Sequence, residues 1–194
     1  KDGAIRKVFR YMNPQGIAVK SFKAPTEEEL SHDFLWRIHK HVPAKGMIGI
    51  FNRSHYEDVL VTRAFGTVDK KLAQKRFGII NDFERNLVLS GTYILKFYLH
   101  ISPEEQKERL EERLQNPTKH WKYDPDDKKT ASHFDEFRGY YNDVLNNCNE
   151  VPWIVVPTDK NWYKEYIVAK ELLDLMKGLD LKYPGLDEED VSKS

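Results

Sequence analysis

An α/β fold around a buried parallel sheet is what this sequence predicts, and three observations carry the prediction. Short apolar runs rich in Val, Ile and Phe recur along the chain, longer stretches of helical periodicity separate them, and polar or proline residues end each run. Such alternation is the signature of βαβ units, whose strands are covered on both faces and therefore read as nearly continuous apolar runs. With 194 residues the chain has the length of one ordinary domain, with room for a small appendage.

The elements follow in order. A helical pattern, Ala4-Ile5-Arg6-Lys7-Val8-Phe9, comes directly after Lys1-Asp2-Gly3, with no strand ahead of it. A first strand is expected over 17–22. Thr26-Glu27-Glu28-Glu29 is a capping box, in which Thr26 accepts from an orphan N–H and Glu29 bonds back, so a helix is expected from there to about residue 40. A second strand at 47–51, a helix over 69–90 and a third strand at 93–100 come next. Ser102-Pro103-Glu104-Glu105 repeats the capping device. Pro103 takes the first helical position, where a missing N–H costs nothing, and Asn116-Pro117 stops the helix after residue 115. A fourth strand at 153–156 and a helix over 161–177 complete the alternation. Between the helix that ends at 115 and the fourth strand, 117–133 is dense in charge and turn residues; Lys119, His120, Lys122, Lys128 and Lys129, with Trp121 and Tyr123 among them, have too little aliphatic content for core. This stretch reads as a lid or as a solvated loop. The acidic, polar tail at 185–194 is expected to be disordered.

Composition excludes several classes. Lys plus Arg and Asp plus Glu both number 31, so the whole-molecule field does not steer the protein to nucleic acid or membrane, and an anion site has to be a local cluster. The single cysteine, Cys148, rules out an internal disulfide, and no Cys/His spacing suits a structural zinc, which fits a reducing compartment. No apolar run approaches the roughly 18 residues of a membrane span and no signal-peptide pattern opens the chain, so a cytoplasmic setting is expected. His32, His39 and His41 are only loosely ligand-spaced and read as surface residues. Trp36, Trp153 and Trp162 are expected in the core or at its edge. Glu108, Glu111 and Glu112, interleaved with Lys107 and Arg109, read as a solvated helix face.

Two clusters carry chemistry. Lys1 and Gly3 at the mouth of a helix suit phosphate binding, since free N–H groups meet a lysine point charge there; any N-terminal lysine beside a helix looks similar. Phe51-Asn52-Arg53-Ser54-His55-Tyr56-Glu57-Asp58 crowds polar residues at the end of a strand, where ligands bind in open parallel sheets. Arg53 could clamp a phosphate, and Glu57 with Asp58 could hold a metal or position an acceptor hydroxyl. The same residues also suit a helix start, with Asn52 or Ser54 as cap and the acids answering the dipole.

These strings, together with Asn13-Pro14-Gln15-Gly16, Ser21-Phe22-Lys23-Ala24-Pro25-Thr26, Asp33-Phe34-Leu35-Trp36-Arg37, Phe83-Glu84-Arg85, Ile94-Leu95-Lys96-Phe97 and Val151-Pro152-Trp153-Ile154-Val155-Val156-Pro157, resemble the family-2 polyphosphate kinases over nearly the whole chain. The resemblance implies a three-layer P-loop kinase fold of the thymidylate-kinase type with a helical or loop lid, formed as one domain over 1–184. It further implies Mg²⁺ dependence and reversible transfer between inorganic polyphosphate and adenine, or also guanine, nucleoside mono- and diphosphates. On that likeness Lys1 is the Walker-type lysine, Gly3 lets the loop enter its helix, and Arg53 and Arg113 stabilise phosphoryl charge. Lys119 and Lys122 take lid positions for polyphosphate, Asn52 and Glu57 meet nucleotide and phosphate, Asp58 meets the metal, and Arg37 and Lys23 contact the acceptor. A homo-oligomer with no nucleic-acid or membrane partner is implied as well. The family's loop carries glycines and an aspartate before the lysine, preceded by a strand, so the chain is expected to start in mid-loop with those parts absent. Asp2 stands where a generic Walker A loop has Ser or Thr, and Lys128-Lys129-Thr130-Ala131 lacks the acidic-then-basic lid pattern. An ATP-dependent nucleotide or small-molecule kinase, a non-catalytic nucleotide- or polyanion-binding module, and RNA binding through residues 119–129 are the competing readings.

Overall fold

Two pairs of parallel strands carry the fold of this computed structural model, which describes residues 1–123 and 131–182, the Lys122 side chain excepted. In chain order the elements are α1 (Asp2–Val8), a 3-10 turn (Pro14–Gly16), β1 (Ile17–Ser21), α2 (Glu27–Leu30), α3 (Trp36–His39), β2 (Ile48–Asn52), α4 (Glu57–Ala64) and α5 (Lys70–Leu89). Then come β3 (Lys96–His100), α6 (Pro103–Gln115), a 3-10 helix (Pro117–Lys122), α7 (Phe134–Asn147), β4 (Trp153–Pro157) and α8 (Asn161–Gly178). β1 pairs with β2 from Ile17 opposite Ile48 to Ser21 opposite Asn52, and β3 with β4 from Lys96 opposite Trp153 to His100 opposite Pro157. Among the described residues β2 and β3 share no ladder. The expected lid residues Lys128 and Lys129 and the 185–194 tail lie outside the described residues.

Local chemistry sets the boundaries. At α2 both halves of the capping box form: Thr26 Oγ1 accepts from the Glu29 N–H at 3.2 Å, and Glu29 accepts from the Thr26 N–H at 3.0 Å. The helix expected from there to about residue 40 instead breaks into α2 and α3. Ser31 Oγ donates to the Glu28 carbonyl at 2.7 Å and Asp33 Oδ1 accepts from the Leu35 N–H at 2.9 Å, so short polar side chains compete with the helical ladder. Asp69 caps α5 through the Leu72 N–H at 2.7 Å, and Gly91, at φ 88°, turns the chain out of it. Ser102 caps α6 through the Glu105 N–H, and Asn116 ends α6 and caps the 3-10 helix through the Thr118 N–H. In β2, a Cβ on Gly49 would lie 2.9 Å from the Pro43 ring, so only glycine lets that loop cross the strand.

The core has two parts. Tyr56, Val59 and Leu60 of the α4 region meet Ala73, Phe77 and Ile80 of α5 and Val144 and Cys148 at the end of α7. Phe22, Leu35, Ile38 and Phe83 form the second part, and Phe34 packs against both. Trp153 packs on the first cluster as expected, and Trp36 is half-buried beneath His32. Trp162 departs from expectation: it is 68% exposed, because Lys164 and Val168 take the inward face of α8. Helix α7 was not expected at all, although Phe134, Phe137, Tyr141 and Val144 follow a helical period; the charged stretch before it masked the pattern.

Candidate active site

The residues singled out at the start of the chain and at the end of β2 meet in space. Asn52 closes β2, and its carbonyl accepts from the Phe22 N–H at 3.1 Å, which keeps the strand pair in register up to its end. The Asn52 side chain turns to α1, and its Nδ2 donates to Asp2 Oδ1 at 2.5 Å. Asn52 is buried, and its Oδ1 has no partner among the described residues. Burial acts to raise the Asp2 pKa, but the Asn52 hydrogen bond and the Lys1 charge outweigh it and hold the carboxylate below its ordinary value. Lys1, ahead of α1, also lies in the field of Lys164 and Arg109. Lys164 is a buried lysine of α8 whose Nζ donates to Asn161 Oδ1 at 2.8 Å, and Arg109 of α6 donates to the Thr158 carbonyl at 2.6 Å. Burial, with the Arg109 charge behind it, lowers the Lys164 pKa.

Arg53 follows at φ 63°, in the left-handed region that costs a side-chain-bearing residue about 1–2 kcal/mol. Its side chain is exposed. Asp180, at φ 46°, is the other non-glycine residue in this region among the described residues. The chain then enters α4, whose first turn holds Glu57 and Asp58, both half-buried. The alternative reading of this motif as a helix start is therefore also correct in part, with the acids at the positive end of α4; the N-cap is Tyr56, and no side chain caps it. Burial pushes the Asp58 pKa up, Arg37 and Arg76 pull it down, and the result stays raised: an incompletely compensated carboxylate.

Other expected residues are placed differently. Arg37 is buried and spends both terminal nitrogens inside the protein, Nη1 on Glu29 at 3.0 Å and Nη2 on the Lys23 carbonyl at 3.0 Å, with its face over Phe22. It clamps the loop that carries Lys23, whose side chain is exposed. Gly3 lies inside α1 rather than at its entry, its φ is not positive, and a Cβ there would meet nothing within 4 Å, so neither packing nor entry into the helix demands glycine. Arg113 sits in the last turn of α6 and Lys119 on the 3-10 helix, where Lys119 pairs with Glu112. The Lys122 side chain lies outside the described residues.

Sequence reasoning gave no role to a buried polar cluster next to the β2–α4 turn. Tyr56 Oη donates to Glu84 Oε1 at 2.6 Å, and Lys96 Nζ donates to Glu84 Oε2 at 2.7 Å, to Tyr56 Oη at 2.9 Å and to the Cys148 carbonyl at 2.9 Å. His55 Nε2 lies 3.6 Å from Glu84 Oε1, beyond hydrogen-bond length, and burial holds the His55 pKa below its ordinary value. The signal was available: Glu84 continues the apolar face Ala73, Phe77, Ile80 of α5, and Lys96, which opens β3, interrupts the apolar run over 93–99.

Taken together, a carboxylate, an orphaned amide oxygen and an arginine in a forced conformation converge at a strand end, with lysines close by. That set suits a phosphate-bearing substrate and a hard cation. Comparison with known proteins agrees. The family model described as Polyphosphate kinase 2 (PPK2) matches residues 1–184. The AMP/ADP-polyphosphate phosphotransferase of Meiothermus ruber is 47% identical over 186 residues, covering 95% of this chain and 70% of that protein. The ADP-polyphosphate phosphotransferase of Rhodopseudomonas palustris is 37% identical over 198 residues, covering 95% of this chain and 68% of that protein. The crystal structure of Polyphosphate Kinase 2 from Arthrobacter aurescens TC1 superposes with a TM-score of 0.94 at 45% identity, covering 100% of this chain and 69% of that one.

Proposed function

The chain belongs to the polyphosphate kinase 2 family, and from that premise we propose that it transfers phosphoryl groups reversibly between inorganic polyphosphate and adenine, or also guanine, nucleoside mono- and diphosphates. Its mixed α/β architecture with parallel strands is consistent with a P-loop kinase fold, read here as a single domain over 1–184. The observation that carries the site assignment is the Asp2–Asn52 contact, which sets the start of α1 against the end of β2 and leaves Arg53 beside it.

In the forward step a nucleotide phosphate oxygen forms a bond to the terminal phosphorus of polyphosphate. The anhydride P–O bond breaks, and its electron pair leaves on the shortened chain. The acceptor oxygen is ionised at neutral pH, since the second phosphate pKa is about 6, so no general base is required. Catalysis then rests on in-line placement and on positive charge around the equatorial oxygens. Lys1 and Arg53 supply that charge at the strand end, and Arg113 supplies it from α6. Asn52 and Glu57 face the nucleotide and its phosphates, Arg37 holds the Lys23 loop against the acceptor side, and Lys119 and Lys122 lead polyphosphate in by charge. Gly3 leaves open space where a phosphate approaches α1.

Mg²⁺ suits the oxygen donors present. Asn52 Oδ1 is buried without a partner among the described residues, and Asp58 is undercompensated. Mg²⁺ usually takes one or two carboxylates and completes its shell with water and substrate phosphates. When bound, it would neutralise charge on the phosphates being transferred.

No helix among the described residues is long and apolar enough to cross a membrane. Cys148 is buried with its thiol pushed up to about 12, chiefly by burial, which leaves it unreactive, and a cytoplasmic setting is part of the proposal. We assign the protein a homo-oligomeric state without nucleic-acid or membrane partners. The test is phosphoryl transfer itself: ATP formed from ADP, polyphosphate and Mg²⁺, and ADP from AMP, in the purified protein and in Arg53→Ala. Transfer from ATP but none from polyphosphate would point to an ordinary nucleotide kinase.

A further inference from the structure

We infer that the buried Tyr56–Glu84–Lys96 cluster is a positioning device for the β2–α4 turn, and that it sets the turnover rate through the placement of Arg53, Glu57 and Asp58. The inference rests on the function proposed above. Tyr56 is three residues beyond Arg53 and directly precedes Glu57. Its hydroxyl is held from two directions: it donates to Glu84 of α5 and accepts from Lys96 of β3. The third Lys96 donor reaches the Cys148 carbonyl, at the end of α7, and that carbonyl also accepts from Trp153 Nε1 at 3.0 Å. One ammonium thus joins the turn after β2, the α5 helix, β3 and the entry to β4.

Geometry makes this junction mechanically important. β2 and β3 are not hydrogen-bonded to each other among the described residues, so no strand ladder fixes the β2 end relative to the β3–β4 pair, from which α6 and Arg113 extend. Phosphoryl transfer requires the attacking and leaving oxygens to be in line with positive charge placed around the transferring group, and a misplacement of about 1 Å costs as much as a hundredfold in rate. Tyr56, Glu84 and Lys96 are 6%, 1% and 6% exposed, so their bonds are unscreened and their positions fixed. None of the three reaches the exposed Arg53 side chain, and their action on it is through the backbone.

Two variants separate positioning from mere stability. Tyr56→Phe deletes one hydroxyl and keeps the ring in the core. It is expected to lower kcat about tenfold with both KM values within about twofold. Backbone amide exchange is expected to quicken about tenfold over residues 53–58 and to stay as in the wild type elsewhere. The second variant, Glu84→Leu with Lys96→Met, replaces the ion pair by apolar side chains, which often restores the stability that either single change removes. Its thermal midpoint is expected to recover relative to Lys96→Met, while kcat stays about tenfold down. Wild-type kcat in Tyr56→Phe, or recovery of kcat along with stability in the double variant, overturns the inference. If the wild type shows no polyphosphate-dependent turnover, the proposed function falls first. The exchange data then decide on positioning: quickening confined to 53–58 supports it, and unchanged exchange in Tyr56→Phe overturns it.

Discussion

In the Tyr56–Glu84–Lys96 cluster every side-chain polar atom has a protein partner at hydrogen-bond length, whereas at the neighbouring strand end Asn52 Oδ1 is buried with none and Arg53 is held at φ 63°. Both regions place polar groups in the interior, and both meet at the β2–α4 turn. Leaving a buried polar atom unpaired costs about 1–3 kcal/mol, and Asn52 Oδ1 shares that state with Arg37 Nε, Arg63 Nη1 and both ring nitrogens of His55. The satisfied cluster fixes the turn in place, and the proposed function gives the unsatisfied amide oxygen a ligand to meet.

Removing one member of the satisfied cluster gives the largest expected effect. Lys96→Met leaves the Glu84 carboxylate buried without its cation and is expected to lower stability by about 3–5 kcal/mol in urea unfolding. A loss below about 1 kcal/mol would erase the contrast between the two regions.

At the unsatisfied end the loss should fall on rate rather than on stability. Arg53→Ala is expected to lower kcat by about 10²–10³, or about 2.7–4 kcal/mol in the barrier, with an unchanged denaturation midpoint. Arg53→Gly sharpens the point, because glycine relieves the left-handed backbone: stability is expected to rise by up to about 1 kcal/mol while turnover is lost equally. Near-normal turnover in either variant would remove Arg53 from the mechanism.

How far these regions could be read from sequence differs for a physical reason. Local signals were legible: the Thr26 capping box, the Ser102-Pro103 helix start and the apolar strands all appear within a residue or a few of expectation, because cap chemistry and strand patterning are encoded nearby. The Asn52–Arg53 cluster was legible too, since polar crowding after a strand marks a site. The partners were not. That Asn52 reaches back 50 positions to Asp2, or that Lys96 closes on Glu84 and Cys148, depends on packing between distant segments. Arg37 shows the same limit: its residue type suits a phosphate, but Glu29 and the Lys23 carbonyl occupy its terminal nitrogens.

The pH dependence of stability should follow the buried groups. Burial lowers the folded His55 pKa, so below the ordinary histidine value of about 6.5 the unfolded chain binds the proton more readily and stability falls as pH drops. Glu84, held low by the nearby His55 and by its Lys96 and Tyr56 hydrogen bonds against the cost of burial, adds a further loss as pH falls through its folded value, below about 4.3. Asp58, raised by burial, works in the opposite sense in the carboxylate range. His55→Asn is expected to flatten the slope of unfolding free energy between about pH 7 and 5; an unchanged slope would show that His55 binds its proton equally well folded and unfolded.

The smallest effect is expected at the half-buried Lys119, which pairs with Glu112. Lys119→Ala is expected to raise the KM for polyphosphate about threefold with the nucleotide KM unchanged, and to lessen its rise with salt. Equal changes in both KM values would move Lys119 away from the polyphosphate path.

The most direct test is ATP formation from ADP with polyphosphate as sole phosphoryl donor and Mg²⁺ present, comparing the wild type with Arg53→Ala. ATP should appear with the wild type in step with polyphosphate consumed, and fall by about 10²–10³ in the variant. No ATP from the folded wild type, with polyphosphate left intact, would contradict the assignment of this site to polyphosphate-driven phosphoryl transfer.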